Sequence, residues 1–114
     1  MTLKERRVGD VTVLDLKGRL VLDDGDGVLR TRINELADEG RVRLVLNMQD
    51  VTYVDSCGVG VLIAKYVSLR KKHGDLKLLN LTPRSHHLME ISKLLNVFEV
   101  FDSEDQALRS FPGR

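Results

Sequence analysis

The residues whose types and spacing could do chemistry lie in one short stretch, Asp55-Ser56-Cys57-Gly58-Val59-Gly60, where a strand pattern gives way to the longest helical pattern in the chain. Before it, Leu44-Val45-Leu46 reads as a buried strand and Asn47 to Tyr53 as a turn region. After it, Val59, Leu62, Ile63, Tyr66 and Leu69 recur at helical spacing, so the apolar period changes around Asp55. Either Asp55 or Ser56 can cap this helix, its oxygen accepting an orphan N–H of the first turn. A cap explains a serine here, but it does not explain Gly58 and Gly60, each of which costs up to ~1 kcal/mol against Ala inside a helix. Glycine lets another backbone or a macromolecule come close. The face made by Val61, Ala64, Lys65 and Ser68 is smaller and flatter than the opposite one, which predicts a docking strip leading away from the Ser56 hydroxyl.

Other chemistry is thin. Cys57 could be paired with His86 and His87 as a thiol and its base, but the two histidines are adjacent on one helical segment and point to different sides of it. Gly58-Val59-Gly60 follows a strand and opens a helix as a dinucleotide fingerprint would, yet Ile63 stands at the third glycine position and no Gly-Lys-Ser/Thr phosphate loop is present. Asp23, Asp24 and Asp26 fall out of register with a calcium loop, and Ile33 stands where its closing glutamate would be. No cofactor and no metal are therefore expected. Arg70-Lys71-Lys72-His73 is a basic helix end that complements the helix dipole.

The elements that position this stretch can be read along the chain. Residues 3–8 and 11–17 predict two strands joined by a turn at Gly9-Asp10. A loop over Asp23 to Gly27 leads into a helix capped by Asp24 or Asp26, carrying Val28, Leu29, Ile33, Leu36 and Ala37, with Gly40 just past its end. The central helix runs to His73 and stops at Gly74, and Leu76 to Leu79 return as a strand, so strand–helix–strand predicts a parallel pair. Thr82-Pro83 starts a helix with an inner face of Leu88, Ile91 and Leu95 that ends at Asn96. Val97 to Phe101 is extended, and Ser103 to Gln106 opens a last helix buried through Ala107, Leu108 and Phe111.

A chain of 114 residues, with 42% hydrophobic and 31% charged residues, has enough apolar material for one core and too little length for two. Net charge of +1 with interspersed signs gives no electrostatic case for nucleic acid or an anionic membrane. The longest apolar run is far short of a membrane span, and the opening Met-Thr-Leu-Lys-Glu-Arg-Arg lacks the apolar stretch of a signal peptide. One cysteine allows no internal disulfide. A cytoplasmic location without membrane insertion is expected.

Tyr53-Val54-Asp55-Ser56-Cys57-Gly58-Val59-Gly60-Val61-Leu62 resembles the signature of STAS-domain anti-sigma factor antagonists: an aromatic, an apolar residue, Asp-Ser, a small residue, then Gly-apolar-Gly. Gly18-Arg19-Leu20, Leu78 to Leu81 and Leu94 to Phe98 fall in family order, so the likeness covers nearly all of residues 1–114. The resemblance implies an α/β fold with a mixed sheet of four or five strands and about four helices, mainly on one side. It implies that Ser56 is phosphorylated by an anti-sigma factor serine kinase, that a serine phosphatase acts on phospho-Ser56, and that the domain is a substrate and not an enzyme. The partner surface would include Asp55, Cys57, Gly58, Gly60, Val61 and Ala64, with Asp23 and Asp24 from the loop after the second strand. The unphosphorylated protein, a monomer or weak homodimer, would bind the kinase and free a sigma factor. The alternative is a non-switching STAS subunit of a stress-signalling scaffold or a membrane lipid transport complex. This chain departs from the family by carrying Val21 where an acid often follows Gly-x-Leu, and Cys57 where Ser or Ala is usual.

Overall fold

Alternating apolar side chains from Val11 onward build a sheet buried on both faces at its centre, where Val11, Val13, Leu14, Leu16, Leu44, Val45 and Leu46 are all at most 1% exposed. The computed structural model describes residues 1–112. Five strands, β1 (Thr2–Val8), β2 (Val11–Leu20), β3 (Arg43–Val54), β4 (Asp75–Leu79) and β5 (Val100–Phe101), lie in chain order across one sheet. The β1–β2 pair is antiparallel, as the turn at Gly9-Asp10 predicts, and the other three pairs are parallel. Helices α1 (Gly25–Asp38), α2 (Ser56–Lys71) and α3 (Pro83–Ile91) make the parallel crossovers, and α4 (Glu104–Arg109) follows β5.

The larger core lies under α1 to α3, where Leu29, Ile33, Leu36, Val61, Leu62, Leu69 and Met89 meet Leu14, Leu16, Leu44, Leu46, Leu76 and Leu78. A smaller core on the other sheet face joins Val11, Val13, Val45 and Leu79 to Ala107 and Phe111. Beneath α4, Lys77 is 2% exposed; its ammonium donates to the Ser110 hydroxyl at 2.7 Å and carbonyl at 3.2 Å and sits 4.5 Å from the Phe111 ring centroid. Arg6 ties α4 to the first strands through paired bonds to Asp15 (2.6 and 3.0 Å) and Glu104 (2.6 and 3.1 Å). Both carboxyls are held below their usual range by that guanidinium.

Three expectations are corrected. Asn47 to Tyr53 is strand and not turn: β2 continues to Leu20, and β3 follows it with two register shifts in which β3 carries an extra residue. Those bulges break the period-two burial pattern, leaving Gln49 and Asp50 both exposed between buried Met48 and Val51, so the strand does not read as one. Asn96 does not end α3, because Lys93 takes a left-handed conformation (φ 59°) and Leu94–Asn96 is a separate 3-10 turn. Ile91 consequently points outward, 63% exposed, and Met89 with Ser85 forms the inner face. The α2 terminus turns at His73 (φ 65°), one residue before Gly74, with the Gly74 N–H bonded to the Leu69 carbonyl at 2.8 Å.

Thr12 is fully buried, and its hydroxyl has no hydrogen-bond partner among the described residues. An unpaired buried hydroxyl costs on the order of 1 kcal/mol or more. Thr12→Val, which keeps the shape, should raise stability by about 1 kcal/mol in urea unfolding; a less stable variant would mean that the hydroxyl is satisfied.

Candidate functional site

The bulged end of β3 delivers Asp55 and Ser56 to the start of α2, alongside the end of β2. Asp55 is the N-cap: extended (φ −101°, ψ −176°), with Oδ1 accepting from the Gly58 N–H at 2.9 Å. Its Oδ2 accepts from the N–H of Leu22 at 3.0 Å, and its own N–H donates to the Leu20 carbonyl at 3.3 Å. One side chain thus fastens the helix start to the β2–α1 loop. These bonds, first Leu22 and then Gly58, hold the Asp55 carboxyl below its usual range.

Because Asp55 supplies the cap, Ser56 is free. It is the first residue of α2, exposed, and its hydroxyl bonds to nothing among the described residues. Cys57 beside it is half-buried. Gly58 and Gly60 have opposite surroundings. A Cβ on Gly58 would lie 2.2 Å from the Leu20 carbonyl oxygen, so Gly58 is a buried packing glycine and its place on the expected partner surface is corrected. A Cβ on Gly60 would meet nothing within 4 Å.

The docking strip is also re-phased. Val61 is 2% exposed and belongs to the core, and Lys65 reaches sideways to Asn34 of α1 at 2.6 Å. With Asp55 capping, the outward stripe runs Ser56, Gly60, Ile63, Ala64 and Val67, with Ile63 36% and Val67 44% exposed. Tyr53 is exposed before Ser56, with the Arg84 guanidinium 5.6 Å from its ring centroid. Asp24 does not cap α1 through its side chain; its carboxylate takes the Met1 ammonium at 2.9 Å and lies 3.7 Å from Arg19. Asp23 is exposed with φ 61°. Leu22, absent from the expected site, is 58% exposed beside Asp55. A large apolar residue between Gly-x-Leu and the acids was its one sign in the sequence.

The family model of the STAS domain matches residues 3–107. The chain belongs to the STAS domain family. Among its STAS relatives, an anti-sigma F factor antagonist of Paenibacillus polymyxa is 26% identical over 99 residues, covering 86% of this chain and 84% of the relative. An anti-sigma-B factor antagonist of Bacillus subtilis is 36% identical over 73 residues, covering 64% of this chain and 66% of the relative. The STAS fold of the Bacillus cell fate determinant SpoIIAA in its phosphorylated form superposes with a TM-score of 0.74 at 22% identity, covering 95% of this chain and 97% of that one. No helix among the described residues is long and apolar enough to cross a membrane.

Two predictions follow from this geometry. Gly58→Ala should lose at least ~2 kcal/mol, since backbone must move to admit the methyl group, while Gly60→Ala should be neutral or up to about 1 kcal/mol more stable; equal effects in thermal melts would refute the packing difference. Asp55→Asn keeps one acceptor for Gly58 but turns an NH₂ toward Leu22. The lowered carboxyl of the parent contributes stability that is complete above the unfolded aspartate value of about 3.9 and is lost as pH falls through the lower folded value. Asp55→Asn should therefore be less stable than the parent at pH 7, with the gap closing below about pH 4. A gap independent of pH would show that the Asp55 charge is not what holds the loop.

Proposed function

We propose that this protein is a cytoplasmic, phosphorylation-switched antagonist of an anti-sigma factor. Unphosphorylated, it binds an anti-sigma factor that is also a serine kinase and so frees a sigma factor. Phosphorylation of Ser56 breaks the complex, and a serine phosphatase resets it. The observation that carries this reading is the division of labour between Asp55 and Ser56: the carboxylate does the capping and leaves an exposed hydroxyl with no internal duty at the head of an outward apolar stripe. The relatives' names as anti-sigma factor antagonists support the partner class.

The switch is electrostatic. A phosphate brings about −1.5 to −2 charge at pH 7, which the α2 N-terminus tolerates within the protein. A partner surface shaped to a neutral hydroxyl and to Gly60, Ala64 and the apolar stripe has to desolvate that charge beside the Asp55 carboxylate. The domain supplies no catalytic group in this scheme; the kinase and the phosphatase do the chemistry.

Incubation with the anti-sigma factor kinase of the same organism and ATP should add one phosphate, placed on Ser56 by peptide mass spectrometry and absent from Ser56→Ala. In calorimetry Ser56→Asp should bind the kinase at least ~tenfold more weakly than the parent, a loss of about 1.4 kcal/mol, while Ser56→Ala should bind nearly as well and resist release by ATP. Equal affinity of Ser56→Asp and Ser56→Ala would sink the switch, and a kinase that leaves Ser56 unmodified would favour a non-switching STAS subunit.

A further inference from the structure

We infer that Leu22 determines which anti-sigma factor this chain engages, by seating its side chain in an apolar pocket with a cationic rim on that partner, and that Asp55 is the positioning residue that holds it ready. The inference rests on the partner class proposed above and adds a residue that the motif does not contain. Leu22 is 58% exposed and belongs to neither core cluster, so most of its apolar surface is left to solvent in the isolated chain.

Its backbone, in contrast, is held where it enters, because the peptide group joining Val21 to Leu22 is bonded at both of its polar ends. The Leu22 N–H is held by Asp55 Oδ2 at 3.0 Å, and the preceding carbonyl, of Val21, accepts from the N–H groups of Asp24 and Asp26, both at 3.2 Å. Val21 itself is only 9% exposed. An exposed apolar side chain on a backbone already ordered loses little conformational freedom on binding, the property of an interface anchor. Leu22 also lies on the rim of the Ser56 site, because the other oxygen of Asp55 caps the helix that begins at Ser56. Asp23 follows it, exposed, with no ion pair to the described residues, while Asp24 is already neutralised by Met1 and Arg19. An apolar tip with one free carboxylate beside it is complementary to an apolar pocket edged by a lysine or arginine.

The test titrates the purified kinase that phosphorylates Ser56 with the parent, Leu22→Ala, Leu22→Met and the same changes in an Asp55→Asn background. Leu22→Ala should bind about tenfold more weakly with an unchanged melting temperature, Leu22→Met should stay within about threefold of the parent, and the Leu22→Ala penalty should shrink in Asp55→Asn, where the loop is no longer held. If Leu22→Ala binds like the parent while Ser56→Asp is still rejected, the anchor is refuted and the switch stands. If the penalty is the same in both backgrounds, Asp55 does not position Leu22. A parent chain that no ATP-binding anti-sigma factor recognises would overturn both readings together.

Discussion

The Asp55 carboxylate, shared between two backbone N–H groups from different segments, is the interaction on which the working end of this molecule depends. Gly58 belongs to the helix it caps and Leu22 to the loop after β2, so one charged side chain closes the seam between them. The seam is close because Gly58 presents no Cβ to the Leu20 carbonyl, and Gly25 at the start of α1 is equally close to the carbonyl of Arg19, where a Cβ would lie at 2.3 Å. Two helices therefore abut two successive carbonyls at the end of β2. That strand end is the anvil against which both helix starts, and hence Ser56, are aligned.

In the proposed switch, placing the cap on Asp55 separates stability from signalling. A serine that capped its own helix could not be phosphorylated without disturbing an orphan N–H of the first turn, whereas the phosphate proposed for Ser56 would not have to displace either Asp55 bond. The exposed apolar side chains on α2 fit the same division: inward, Val61, Leu62 and Leu69 complete the core, and outward, Ile63 and Val67 belong to neither core cluster.

Much of this was legible in the sequence because it rests on local rules. Thr82 and Ser103 cap α3 and α4, accepting from the N–H groups of Ser85 and Gln106, and Asp55 lies three residues before Gly58 as a cap requires. What was not legible depends on partners distant in the chain. The strand character of Asn47 to Tyr53 comes from pairing with β2 through bulges, and the burial of Lys77 comes from Ser110 and Phe111 closing over it. The choice between Asp55 and Ser56 as cap was open by composition and is settled by the bond to the Gly58 N–H, whereas the second Asp55 bond, to the Leu22 N–H 33 residues away in sequence, was not legible. The sequence pattern places Val61 on the outer face because a one-residue shift in helix phase exchanges it with Gly60.

The Arg6–Glu104 contact joins residues 98 positions apart. The cost of closing a loop grows with the logarithm of its length, so this is among the last contacts whose formation is rewarded as the chain collapses. The β2–α1–β3–α2 unit, which carries the whole Ser56 site, can assemble from nearer neighbours before α4 seals the second sheet face. Loop-closure entropy thus favours forming the Ser56 end ahead of the clasp that unites the first strand with the last helix.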